Sequence, residues 1–179
     1  MKIFAETDRL ILRELLPTDV AGMFEMDSDP EVHRYLGNKP YSAIEESQAN
    51  IEFIRRQYIE NGIGRWAAIE KETNNFVGWA GLKLITETTN NRINYYDLGY
   101  RFSKKYWGKG YATESAMAAK DYAFNTLKLA EIIGIADINN SGSIHVLEKV
   151  GLKRISLFDY QGIKHHWMEM KNPIAEQLV

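Results

Sequence analysis

The sequence predicts one α/β domain, and three observations carry that prediction. Strand-like apolar runs alternate with segments of helical period along the whole chain. No repeat, linker or low-complexity stretch divides residues 1–179, a length that one core can organise. The composition, 45% apolar and 26% charged, is globular and not disordered.

The elements follow in order. Residues 9–14 read as a first strand. Thr18 or Asp19 can cap the short helix behind it, with Met23 and Phe24 on its buried side. Asp29-Pro30 sets a cap before a proline and starts another helix, which Gly37 can stop. Ser42-Ala43-Ile44-Glu45 matches a capping box. Ile44, Gln48, Ile51, Arg55 and Tyr58 then recur at helical spacing up to Asn61-Gly62. The period changes at residues 65–70 and 76–82, two strand-like runs around the polar turn 71–75, which is a hairpin pattern. A polar loop, 87–91, leads to a strand over 95–102. Next comes a helix through Leu127, with Ala112, Ser115, Ala116, Ala119, Tyr122, Ala123 and Leu127 on one face. A strand over 131–136 and a polar turn over 137–142 precede a short helix from Ser143, stopped by Gly151. Two strands, 152–160 and 163–171, meet at Gln161-Gly162.

The bulk numbers exclude several classes. Lys plus Arg total 22 and Asp plus Glu 24, a net charge of −2 with no basic block, so nucleic-acid binding gains no support. The absence of cysteine removes disulfides, thiolate metal sites and a cysteine nucleophile. His165-His166 points its rings to opposite faces and no other cluster has ligand spacing, so no metal is expected. No apolar run reaches the roughly 18 residues of a membrane span. Residues 1–9 acquire charge too early for a signal peptide, and the expected location is cytoplasmic.

The most informative stretch is Tyr106-Trp107-Gly108-Lys109-Gly110-Tyr111-Ala112-Thr113-Glu114, between a strand and a helix. A glycine turn there gathers backbone N–H groups at the positive end of the helix dipole and can hold phosphate. Lys104, Lys105 and Lys109 add attraction. The alternative is a tight turn whose glycines serve packing alone. A P-loop is excluded because Gly108-Lys109-Gly110-Tyr111 lacks the hydroxyl that follows its lysine, and Rossmann spacing is absent.

Lys105-Tyr106-Trp107-Gly108-Lys109-Gly110 resembles the acyl-coenzyme A motif Gln/Arg-x-x-Gly-x-Gly/Ala of the GNAT superfamily of N-acetyltransferases. The string through Ala112-Thr113-Glu114 is similar to the RimJ/RimL-like branch. So are Asn140-Ser141-Gly142-Ser143, Leu147-Glu148-Lys149-Val150-Gly151-Leu152 and the opening Thr7-Asp8-Arg9-Leu10-Ile11-Leu12-Arg13. The resemblance spans nearly the whole chain and implies a single acetyltransferase domain over 1–179. It implies a mixed, mostly antiparallel central sheet, splayed between its fourth and fifth strands, with helices on both faces.

The resemblance also implies acetyl-coenzyme A as co-substrate, with the pyrophosphate against backbone N–H groups around Trp107, Gly108, Lys109, Gly110, Tyr111, Ala112 and Thr113. The Thr113 hydroxyl is an extra donor, and Lys105 stands where the motif has Gln or Arg. Backbone groups of Tyr100 and Phe102 would pair with the pantetheine arm. Asn140 would bond that arm and Ser143 would lie near the sulfur, although both equally suit a turn and helix cap. Leu147 departs from the pattern: many members carry there a tyrosine that protonates the leaving thiolate. Ser143 is then the nearest substitute, or the thiolate leaves unassisted, since a thiol pKa near 8.5 makes it a fair leaving group.

The implied reaction is direct attack of a neutral amine on the thioester, which needs a base. A backbone N–H near Tyr100 would meet the oxyanion. Asp97 is the candidate base, in a run of tyrosines where partial burial would favour its neutral form. The alternative for Asp97 is a carboxylate paired with Arg92 or Arg101. His165, His166 and Glu169 are the runners-up. The acceptor is an amine, a protein N-terminus by the RimJ/RimL resemblance, or a small amine such as a polyamine, aminoglycoside or amino acid. A non-catalytic acyl-coenzyme A sensor is the third reading. Trp66, Trp79, Tyr95, Tyr96, Tyr160 and Trp167 are candidates to line the cleft, with Glu45, Glu46 and Asp159 to attract a cation. Similar proteins are commonly homodimers, and the sequence neither demands nor contradicts one.

Overall fold

The computed structural model describes residues 1–173. Its sheet comprises β1 (Ile3–Glu6), β2 (Leu10–Glu14), β3 (Arg65–Glu70), β4 (Phe76–Ile85), β5 (Tyr95–Phe102), β6 (Glu131–Asp137), β7 (Lys153–Tyr160) and β8 (Ile163–Lys171). Their order across the sheet is β1-β2-β3-β4-β5-β6-β8-β7. The helices are α1 (Val20–Asp27), α2 (Pro30–His33), α3 (Ile44–Glu60), α4 (Tyr111–Asp121) and α5 (Ser141–Val150); a π turn, Tyr122–Thr126, continues α4. Neighbouring strands are antiparallel except β5 and β6.

Side-chain alternation divides the core into two layers. On one face Leu10, Trp66, Leu82 and Leu98 pack with Ala116 and Ala119 of α4 and Leu147 of α5. The alanines let α4 approach the sheet closely. On the other face Ala67 and Ile69 meet Met23 and Met26 of α1 and Ile51 and Ile54 of α3. β3, covered by both layers, is buried at every residue. A smaller cluster, Ile85, Tyr95, Ile133, Phe158 and Trp167, lies beyond β5. It is on the α1–α3 side, because Ile132 next door belongs to the α4–α5 layer.

One junction is open. The β4–β5 ladder runs from Gly78↔Phe102 to Ile85↔Tyr95, and the β6–β8 ladder from Glu131↔Lys171 to Asp137↔His165. Between β5 and β6 the paired position is Asp97↔Ile133 alone, so the strands diverge from Asp97 toward Phe102. This is the splay expected between the fourth and fifth strands. It falls between β5 and β6 because β1 precedes the first strand read in the sequence.

Several local expectations shift. β1 pairs with β2 through only a few positions around a bulge, too short a run to announce itself. The Asp19 carboxylate does not cap α1; it accepts from Arg13 Nη1 and Nη2, each at 2.8 Å, and from the Leu16 N–H at 2.8 Å. At α3 the acceptor for the N–H groups of Ser42 and Ala43 is Glu46, not Glu45. The buried residues of α3 are Ser47, Ile51, Ile54 and Gln57, whereas Ile44 and Gln48 are exposed. α5 begins at Ser141, because Asn140 caps it by accepting from the Ser143 N–H at 3.1 Å.

Asp27, at the end of α1, has no exposure and accepts from Arg101 of β5 at 2.7 Å, with His33 of α2 at 3.4 Å. These contacts fasten both short helices to the sheet. Burial first, then the Arg101 charge, hold the His33 ring below its usual pKa. The unfolded chain therefore binds a proton that the folded chain resists. This contribution to stability is complete above about pH 6.5 and is lost as pH falls from there through the lower folded value. Thermal melting at pH 5 should be measurably lower than at pH 7.5, and His33→Gln should lose part of that difference. An identical pH slope in the variant would contradict the assignment.

Candidate active site

The glycine turn leaves its backbone donors unengaged. Residues Lys104–Tyr106 form one 3-10 turn, and the Trp107 N–H closes it on the Lys104 carbonyl at 3.1 Å. Gly108 and Gly110 then take φ of +74° and +84°, a region that side chains rarely adopt. The first backbone bond of α4 runs from the Glu114 N–H to the Gly110 carbonyl at 3.0 Å. The N–H groups of Gly108, Lys109, Gly110, Tyr111, Ala112 and Thr113 donate to no other group among the described residues. An unbroken run of free donors at a helix N-terminus holds an anion by geometry and dipole.

Other residues brace this turn. Arg9 donates to the Lys109 carbonyl at 2.8 Å, pairs with Glu114 at 2.5 Å and lies over the Tyr111 ring. The Tyr111 phenol turns inward to Glu70 at 2.5 Å, and that hydrogen bond with burial pushes it up to about 12. Tyr111 therefore offers the turn its backbone and not its hydroxyl. The Trp107 indole donates to the Phe102 carbonyl at 2.8 Å, and its own backbone N–H is engaged, so Trp107 positions the turn. Lys105 pairs with Glu25 at 2.6 Å and Lys104 lies 4.0 Å from Glu31, which leaves Lys109 as the turn lysine without a carboxylate partner among the described residues.

The splay opens beside the turn. The Ser103 N–H bonds the Val77 carbonyl across β4, and antiparallel alternation then aims the backbone of Tyr100 and Phe102 at the gap. The Phe102 carbonyl is occupied by the Trp107 indole. Across the gap, the Tyr100 hydroxyl lies 2.8 Å from the Ser143 carbonyl and 3.1 Å from its Oγ. Burial pushes the Tyr100 phenol well above its ordinary pKa, only partly offset by that hydrogen bond. Leu147 is in the core, 1% exposed.

Asp97 sits at the vertex. Its Oδ2 accepts from the Arg65 guanidinium, which also donates to the carbonyls of Gly81 at 2.6 Å and Asp97 at 2.7 Å. The partner is neither Arg92, which pairs with Glu131, nor Arg101, which pairs with Asp27. Arg65 reaches Asp97 by lying across β5 at Gly99, where a Cβ would stand 2.7 Å from its Nη2. Asp97 Oδ1 carries no hydrogen bond among the described residues. On the α1–α3 face a cavity of about 170 Å³ is lined by Arg65, Lys83, Ile85, Glu87, Thr89, Tyr95, Asp97, Ile135 and Tyr160. Burial, then the charges of Asp97 and Glu87, push the Tyr160 phenol upward.

Other candidates fall elsewhere. Trp66 and Trp167 are core residues, while Tyr95 and Tyr160 line the cavity. The guanidiniums of Arg65 and Arg101 lie 5.3 and 5.1 Å from the Trp79 ring. His165 is buried with its Nδ1 2.9 Å from the Ile163 carbonyl, and Glu169 accepts from the Trp167 indole at 2.7 Å. Glu46 is occupied at the start of α3 and Asp159 pairs with Lys164. A larger hollow of about 720 Å³ runs along α3 past Glu14, Arg55 and Arg56, remote from the splay. Sequence reasoning missed Arg65. Its only signal was a charged residue opening a strand that is apolar from Trp66 to Ile69.

A splayed mixed sheet, with free N–H donors at one mouth of the gap and a carboxylate at its vertex, is the arrangement that the resemblance to the GNAT superfamily implies. Residues 9–153 match the family described as "Acetyltransferase (GNAT) domain". The sequence is 30% identical to the uncharacterized N-acetyltransferase p20 of Bacillus licheniformis, over 88% of this chain and 87% of that protein. It is 30% identical to the spermidine N(1)-acetyltransferase of Escherichia coli K12, over 78% and 70%. An acetyltransferase (GNAT family) from Bacillus anthracis superposes with a TM-score of 0.78 at 24% identity, covering 96% of this chain and 99% of that one. The chain belongs to the GNAT acetyltransferases, and it is an acetyl-coenzyme A-dependent N-acetyltransferase.

Proposed function

We propose that the chain acetylates the N-terminal amine of a protein, with the donor in the β5–β6 gap and the amine in the cavity beside Asp97. The observation that carries this reading is the place of Asp97: it is the last paired residue before the splay and it also lines the cavity. One carboxylate thus touches both reactant spaces. Bound acetyl-coenzyme A supplies an activated acetyl group. The free N–H groups from Gly108 to Thr113 hold its pyrophosphate, with Lys109 near by. Lys105 and Trp107 serve the turn through Glu25 and Phe102. The backbone of Tyr100 and Phe102 lines the arm, and Asn140 supports it from the cap of α5. Asp97 Oδ1 takes the proton from the incoming ammonium, and the amine attacks while held in line.

The cavity has room for about one residue, and Glu87, the free Oδ1 of Asp97, Tyr95 and Tyr160 offer acceptors to an ammonium group, with Arg65 and Lys83 on the same wall limiting how much positive charge it takes. This fits the RimJ/RimL-like motifs at 106–114 and 140–152. A small-amine acceptor is the second reading, favoured by the two carboxylates, which could hold both ends of a diamine, and by the similarity to a spermidine acetyltransferase. Thiol release from acetyl-coenzyme A, measured on N-terminal peptides, polyamines, aminoglycosides and amino acids, decides between them. The N-terminal reading expects kcat/KM at least about 10-fold higher on a peptide than on any small amine. The reverse order would overturn it. Tight donor binding without turnover on any acceptor would make the chain a sensor.

A further inference from the structure

We propose that Lys83 is a specificity-determining residue for the acceptor, its ammonium group receiving a carboxylate that the acceptor carries close to the reactive amine. The inference rests on the acceptor reading above and names the chemistry that the cavity selects. Lys83 on β4 stands opposite Asp97 on β5 in the antiparallel ladder, so both side chains leave the same face, their Cα atoms about 5 Å apart. Despite that closeness they do not pair. Arg65 holds Asp97 Oδ2 and neutralises that carboxylate. Lys83 is half-buried, lines the cavity and has no carboxylate partner among the described residues. Its Nζ lies 5.5 Å from the centre of the Phe53 ring on α3, and Phe53 is itself 46% exposed. A cation over an open ring is weakly held, and it exchanges that contact for a carboxylate, which binds it through charge-assisted hydrogen bonds.

Charge is distributed unevenly around this cavity of about 170 Å³. With Asp97 matched by Arg65, the lining groups left without a counter-charge among the described residues are Lys83 and Glu87. They act on different sides. Lys83 reaches toward α3, whereas the Glu87 charge acts on the phenols of Tyr95 and Tyr160. An amine seated between Asp97 Oδ1 and Glu87 therefore meets a cation across the cavity. A second ammonium group there is repelled, and a carboxylate is held. Two extended residues span about 7 Å, so an acidic side chain at the first or second position of a protein N-terminus stays within reach of a long lysine side chain. The α-carboxylate of a free amino acid offers the same group nearer to the amine.

Matched acceptors test this. One set is N-terminal peptides that differ as Asp against Asn, or Glu against Gln, at their first two positions; the other is free amino acids against their α-amides. Wild type should show kcat/KM at least about 10-fold higher on the acidic member of a pair, with the difference in KM. Lys83→Met should bring that ratio to about one, and Lys83→Glu should invert it. Lys83→Arg, which keeps the charge, should retain most of it, whereas a merely structural lysine would lose rate equally on both members of every pair. Moving the acidic residue well down the peptide should abolish the preference, which a general surface field would not do. Equal rates on both members of every pair in wild type, or a preference that survives in Lys83→Met, overturns the inference while leaving N-terminal acetylation standing. The expected pattern on free amino acids alone supports Lys83 and overturns the N-terminal reading. Polyamines preferred over every carboxylate-bearing amine, or no turnover on any acceptor, would bring down both.

Discussion

Gly110→Glu should abolish binding of acetyl-coenzyme A, raising the dissociation constant at least about 100-fold, a loss of roughly 2.7 kcal/mol. Two effects add. Gly110 holds φ +84°, and a side chain in that region costs about 1–2 kcal/mol. The carboxylate would also sit among the N–H groups of Gly108 to Thr113, taking up the donors meant for phosphate and repelling it. Gly110→Ala separates these terms. Its Cβ meets only Arg9 Nη2 at 3.4 Å, an ordinary contact, so alanine carries the strain without the charge. Calorimetric titration should therefore rank wild type above alanine and alanine well above glutamate. Retained affinity in the glutamate variant, with an unchanged melting curve, would show that the pyrophosphate lies elsewhere.

Asp97→Asn should reduce kcat about 100-fold and leave donor affinity nearly unchanged. It should also destabilise the fold. Arg65 and Asp97 side chains are 10% and 14% exposed, and removing one partner leaves the other charge buried and unmatched, at a cost of about 3 kcal/mol. The stability loss could by itself mimic a catalytic defect. Arg65→Met combined with Asp97→Asn removes both charges, so its melting temperature should recover toward wild type while the rate stays low. Recovery of rate along with stability would reduce Asp97 to a structural anion.

Much of the fold was legible because its signals are local. The strand-like runs at 65–70, 76–82 and 95–102, the small-residue face of α4 and the Gly151 stop each need only near neighbours along the chain. The glycine turn belongs to this class, since positive φ at Gly108 and Gly110 is a property of those residues. The less legible parts depend on partners far apart in sequence. Asp19 looked like a cap, but Arg13 and the Leu16 N–H claim its carboxylate. For Asp97 the sequence offered Arg92 or Arg101 as the partners of a paired carboxylate, and Arg65 takes that place from a strand two positions away in the sheet.

By itself the sequence determined the family, the order of most elements and the conformation of the glycine turn. These rest on motifs and periods that survive any packing. The tertiary structure decided which charges neutralise one another and which hydroxyls meet. Gly99 has meaning only once Arg65 lies over it, and Tyr100 faces Ser143 only because β5 and β6 part at Asp97. Contacts between distant strands depend on register and on the space a missing side chain leaves, and neither is written in a short stretch of chain.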